Sequence, residues 1–274
     1  MAEDIYAAMA AHLPNEVGVS GALITMVEPD VGHEHTYNRW YEDDHFYSGA
    51  MVGPWIFSGR RWVATRDLQL LRFPDESPIA QPVTAGCYIS TYLWAAGHYA
   101  DADRWSVVAM ADNLYPQGRG FDQRQHVYTA FSTHDFAVIN ADEPYLLAHH
   151  VLDRPFPGMV VEVVEPADGA DRDAVIVKLR DEILPAALSD ASAAAVLAFT
   201  PWPQTSGKVP RVGSAAGAGR NITLLWFLRS DPRACWAQYR THTERIASAN
   251  AKLVFAAPFI PTIPGTDTYV AELR

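Results

Sequence analysis

The segment HEHTYNRWYEDDHF, residues 33–46, gathers three histidines, four acids and four aromatics into fourteen positions. Those residue types move protons and hold oxygens. An imidazole titrates nearest neutrality and is the usual general acid or base. At about 100° per residue, a helix here sets Tyr37, Tyr41, Asp44, His45 and Ser48 on one face, with Trp40 at its flank. Glu42 and Asp43 then point to water. His45 is the expected acid/base, and Tyr41, one turn earlier, would bind or protonate a substrate oxygen. Asp44 is badly placed to orient His45, because adjacent side chains on a helix diverge. The same pattern also fits a packing helix whose His45 makes a structural hydrogen bond, and periodicity leaves both open.

His33 and His35 share a direction only on extended chain, and no HExxH or CxxC spacing accompanies them. No metal is expected. In RQHVYTAFSTHDF, strand alternation separates Gln125, Val127, Thr129, Phe131 and Thr133 from His126, Tyr128, Ala130, Ser132 and His134. The second set would be a wet wall facing the helices or a solvent face. Tyr88, Ser90, Tyr92 and Trp94 share one face of their strand. Trp55, Phe57 and Trp62 suit pocket lining or core, and Arg60 or Arg61 would meet a carboxylate or enolate oxygen. The candidate substrate-binding residues are therefore Tyr37, Asn38, Trp40, Trp62, Tyr92, His126, Tyr128 and His134. GSAAGAGR and GKVPR lack the context of phosphate-binding loops, no GxSxG is present, and neither Cys87 nor Cys235 has a local activating base.

Elements that could position these residues follow in a repeating order. Apolar β-branched runs and amphipathic stretches, punctuated by Gly and Pro, spell β-α-β-β-α-β. The order then recurs from GMVVEVVEP onward. In the second copy Asp231 caps a helix that has Pro232 in its first turn. WIFSGRRWVATRDLQLLRF reads as one long strand with a bulge at Gly59, and TYVAEL as an added edge. Each copy is a ferredoxin-like unit, with the join where prolines cluster at 144, 155 and 157. The expected division is 1–145, with the pocket, and 146–274, structural. A ferredoxin-like sheet has helices on one face only, so the bare faces of two units must be buried together or curl into a barrel.

The chain has 274 residues, enough for two such units, and is 49% hydrophobic, enough for a large core. Its net charge of −11 speaks against nucleic acid or an anionic membrane surface as partner. Two cysteines make no disulfide framework, and the acidic N-terminus is unlike a signal peptide. A cytoplasmic protein, with a small-molecule substrate and a homodimer as the conceivable assembly, is the expectation.

Tyr37, Asn38, Trp40, Tyr41 and His45 follow the pattern F/Y-N-x-W-Y-x-x-x-H. In this the chain resembles the dimeric α/β-barrel superfamily, particularly its ether-degradation-protein-like and polyketide-cyclase-like members. Trp236, Tyr239 and His242 echo the motif with a spacing of three in place of four. The resemblance implies an α+β fold in which two tandem βαββαβ units form an antiparallel barrel within one chain, with a pocket between sheet and helices. The superfamily spans cyclases, dehydratases, isomerases, cofactor-free oxygenases and haem-binding enzymes, so the fold does not choose the reaction. Here the expectation is a cofactor-independent acid/base enzyme, a dehydratase, cyclase or isomerase, acting on an apolar or aromatic oxygenated molecule. A cofactor-free monooxygenase and a non-catalytic binding protein are the alternatives.

Overall fold

A computed structural model describes residues 4–11, 17–190, 192–203 and 214–274. The GKVPR stretch lies outside the described residues. After a short α1 (Ile5–Ala10), the first unit runs β1 (Val19–Pro29), α2 (Glu34–Trp40, continued as a π-helix over Tyr41–Met51), β2 (Ile56–Val63), α3 (Arg66–Gln69), β3 (Tyr88–Ala95), α4 (Tyr99–Val108, continued as a π-helix over Ala109–Leu114) and β4 (Arg124–Ile139). The second runs β5 (Gly158–Pro166), α5 (Arg172–Lys178, with a π-helical turn over Leu179–Ile183), α6 (Leu184–Asp190), β6 (Ala193–Pro201), β7 (Ile222–Leu228), α7 (Pro232–Ala247) and β8 (Ala251–Pro261).

All neighbouring strands are antiparallel, and their order closes on itself: β1-β3-β2-β8-β5-β7-β6-β4. Each unit contributes the same permuted order of four strands. The units meet along β4–β6, paired from Ser132↔Pro201 to Ile139↔Ala195, and along β2–β8, where only Trp62↔Pro261 and Val63↔Ile260 pair. The bare sheet faces therefore curl inward around a common core. Ala22, Ile24 and Met26 of β1 join Phe199, Phe227 and Phe255 there, all nearly inaccessible. The Tyr128 hydroxyl meets Thr223 Oγ1 at 2.9 Å. β6 lies between their strands, so this bond crosses the barrel interior. Helices cover the outer faces, which is why β6 and β7 are buried at every position and read as nearly continuous apolar runs, broken only by Thr200 and Thr223.

Several local readings change. The long strand expected through residue 73 stops at Val63. Gln69 turns back through its side-chain amide to the carbonyls of Ala64 and Leu273, and this helps hold α3 in place. The bulge lies at Phe57, which is exposed, and not at Gly59. Gly59 is instead pressed under the Tyr92 ring, where an added Cβ would come within 2.7 Å of it. TYVAEL forms a short 3-10 turn over Val270–Glu272, not a strand. The residue that precedes α4 as its cap is His98. Asp231 does cap α7, accepting from the Arg233 N–H.

Candidate active site

α2 packs on β2 and β3, through Glu42–Arg61, Tyr41–Tyr92 and Tyr37–Tyr88, and carries the sequence motif. Where it passes into π-helical turns, Tyr41, His45, Gly49 and Ala50 all line a small cavity above the sheet. Such turns are often found at functional sites. The opposite wall is Leu23 and Thr25 of β1, Tyr92 of β3, and His126, Thr129 and Phe131 of β4. Ser106 and Met110 of α4, with Tyr115 and Arg124, close the sides. This inner cavity holds about 70 Å³, and a wider one of about 380 Å³ adjoins it through the shared Tyr115, Arg124 and His126.

The Tyr41 and Tyr92 hydroxyls lie 2.6 Å apart. Only one proton is used between them, so the accepting phenol keeps its own proton for another partner. Burial raises the pKa of both, which keeps them un-ionised. His45 stacks on Trp40 and meets Tyr41 edge-on. Its Nδ1 is buried and has no hydrogen-bond partner among the described residues. Burial, reinforced by the Arg124 charge, pushes its pKa down to about 3. The imidazole is therefore neutral at ordinary pH and uncommitted. Gly49 makes room for it, since a Cβ there would stand 2.8 Å from Nδ1.

His126 is held differently. Arg124 Nε donates to its Nε2 across 3.4 Å, which places the proton on Nδ1, 2.8 Å from Thr129 Oγ1. Thr129 in turn meets Thr25 Oγ1 at 2.8 Å. The His126 pKa falls to about 4, first from burial and then from the Arg124 charge. His126 reaches this cavity through a register shift between Met26 and Val27 of β1, opposite Tyr128 and His126. The bulge makes Val127 an extra residue and reverses the alternation. His126 thereby shares a face with Thr129 and Phe131, while Tyr128 and Ala130 point into the barrel.

Of the candidates from sequence, Tyr41, His45, Tyr92 and His126 come together at the cavity, and Trp40 backs His45. Tyr37 is buried against Tyr88, Trp40 and Phe121, behind the cavity wall. Asn38 binds Arg61 Nη1 through its carbonyl oxygen and the Thr266–Asp267 segment through its amide, so it fastens the C-terminal chain. Trp62 and Tyr128 belong to the barrel core. His134 packs on Phe199, away from the cavity. Glu42, expected toward water, is buried in an ion pair with Arg61. Asp44 does not orient His45. It binds Arg119, and that bond draws its carboxyl below the usual range.

Arg124, Thr25, Thr129 and Gly49 were not singled out from sequence. Arg124 was within reach, two residues before His126 at a strand start; the two threonines carried no local signal, and Gly49 signals only a helix end, which the helix runs past to Met51. The echo in the second half sits on α7. That helix precedes the last strand of its unit, so it matches α4 and not α2. His242 Nδ1 lies 3.1 Å from Glu162 Oε1, and Trp226 Nε1 donates to Glu162 Oε2 at 2.7 Å. Trp236 and Tyr239 pack beside them, so this region is filled. His33 and His35 stand at the start of α2, with His35 exposed and 3.0 Å from Asp267. Among the described residues no cluster of three or more His, Cys, Asp or Glu could hold a metal ion.

No protein-family model matches the chain, and no curated protein does. Solved structures do match. A candidate chlorite dismutase covers 94% of this chain and 100% of its own, with a TM-score of 0.50 at 10% identity. An anthrone oxidase-like protein covers 91% and 94%, with a TM-score of 0.46 at 7% identity. The encapsulated DyP-type peroxidase of Mycobacterium smegmatis covers 91% and 96%, with a TM-score of 0.45 at 13% identity. No helix among the described residues is long and apolar enough to cross a membrane. The closed ring of two permuted four-strand sheets, together with the full-length match to the first of these structures, gives this chain a dimeric α/β-barrel fold, with both units in a single chain.

Proposed function

We propose that the cavity beside His45 is the active site of a cofactor-independent acid/base enzyme. It would dehydrate, cyclise or isomerise an apolar or aromatic small molecule bearing oxygens. The observation that carries this is the state of His45: a neutral imidazole, stacked in place, lining a cavity with no protein hydrogen bond at its buried Nδ1. A structural histidine in such a place would normally spend its nitrogens on partners, because an unmade buried hydrogen bond is costly. His242 does so with Glu162.

In the proposed step His45 takes a proton from the carbon next to a substrate carbonyl. The electron pair stays on the substrate as an enolate. The phenol proton not used between Tyr41 and Tyr92, which has the Ser90 hydroxyl within reach, would turn to that oxygen and stabilise it. The enolate then expels a β-hydroxyl as water, using the proton that His45 holds, attacks a second carbonyl whose oxygen takes that proton, or receives it back at another carbon, which gives dehydration, cyclisation or isomerisation. An imidazole with so low a pKa accepts the proton because negative charge develops beside it in the same step. The second unit would be structural, since Trp226, Tyr239 and His242 fill its corresponding space.

The test is solvent-deuterium incorporation into a panel of enolisable phenolic ketones, followed by mass spectrometry. Wild type should exchange a substrate C–H, and His45→Ala should still bind but lose exchange. Binding without exchange in either protein would point to a non-catalytic binder. Undiminished exchange in His45→Ala would remove His45 as the base.

A further inference from the structure

We infer that the site takes an aromatic or enolic organic oxyanion, held by Arg124. This deepens the proposed reaction and rests on the same cavity. Among the described residues lining the inner cavity, Arg124 alone carries a formal charge. His45 and His126 are neutral there, and the tyrosine pair is un-ionised, for the reasons given above. Asp44 and Arg119 offset each other outside the lining. Asp122, the one carboxylate among the described residues on the wider cavity, does not line the inner one.

The guanidinium is fixed before any ligand arrives. Nη2 donates to the Tyr115 hydroxyl at 2.8 Å, Nη1 to the Phe121 carbonyl, and Nε to His126. Its carbon stands 4.6 Å from the Trp40 ring centre. A guanidinium has five N–H donors. Three are used, leaving one on Nη1 and one on Nη2. Leu23, Ala50, Met110 and Phe131 line the same cavity and keep water scarce, which strengthens a charge–charge contact. A lone, pre-oriented cation facing an apolar space selects an organic anion over its neutral analogue. The charge left on the substrate by proton transfer to His45 would meet the same group.

The experiment is calorimetric titration at pH 8 with 4-nitrophenol, ionised there, with 4-nitrobenzoate and with the neutral 4-nitroanisole. Wild type should bind one of the anions at least about tenfold more tightly than 4-nitroanisole, the scale of one charge-assisted hydrogen bond. Arg124→Gln should bring the ratio to about one, and Arg124→Lys should keep part of it. Arg124→Met serves if the glutamine variant does not fold. The stronger of the two anions tells whether a phenolate or a carboxylate is the natural class. Equal or absent binding by wild type would overturn the proposal, as would a preference that survives the loss of the arginine charge. His45→Gln separates the two readings: it should keep the anion preference while losing deuterium exchange. Exchange that persists without any anion preference would leave the acid/base reading standing alone.

Discussion

The imidazole of His45 lies flat against the indole of Trp40, with ring centroids 4.2 Å apart and planes 21° apart. The same indole donates its Nε1–H to the Arg119 carbonyl at 3.0 Å. One side chain thus orients the proposed base and ties α2 to the loop that walls the cavity. Trp40→Phe should keep a ring beneath His45 but release the loop. The expected result is a modest loss in deuterium exchange, with faster amide exchange across residues 115–123 by mass spectrometry. Unchanged amide exchange would show that the indole bond does not restrain the loop.

His45→Ala should lower exchange by about 10² to 10⁴, the usual contribution of a positioned acid or base. Ligand affinity should change far less, because Arg124 and the tyrosine pair remain. Parallel losses in affinity and exchange would mean that His45 is a binding residue alone.

Gly49→Ala tests the space beside the ring. The new methyl would stand 2.8 Å from His45 Nδ1, so the imidazole must shift. Alanine also favours a helix over glycine by about 1 kcal/mol. The two effects oppose each other in stability but not in activity. The thermal midpoint should move by only a few degrees while exchange falls more than tenfold.

Acidification should weaken the fold through His45 and His126. Their pKa values are about 3 and about 4 in the folded chain, against about 6.5 unfolded. Below pH 6.5 the unfolded chain gains protons that the folded one refuses, so stability falls with falling pH until the folded values are reached. Carboxylates add their own effect below about pH 5, so the informative window is pH 5 to 7. Urea midpoints should fall across it in wild type and fall less in His45→Gln. Parallel slopes would show that burial does not hold His45 neutral.

His242→Phe should destabilise the fold by about 3 kcal/mol, because it leaves Glu162 without one of its two partners inside the protein. Exchange at the first cavity should be unchanged in the fraction that remains folded. Chemical denaturation and the exchange assay together check both parts, and lost exchange in folded protein would tie the second unit to the reaction.

Local chemistry settled much of this architecture. Pro and Gly positions, apolar runs and the Asp231 cap fix the succession of strands and helices, because those signals act within a few residues. The motif Tyr37–His45 likewise puts Tyr41 and His45 on one helix face, since they lie about one turn apart, and both line the cavity. What the sequence could not determine depends on residues far apart in the chain. Val127 looks like any strand residue, yet pairing with β1 makes it a bulge and carries His126 to the helix side. Arg61, on β2, draws Glu42 out of water into a buried pair. Arg124 becomes the charge of the cavity only when β4, α2 and the loop to Phe121 converge. Register and charge pairing are fixed by long-range contacts, and only the closed barrel brings those partners within reach.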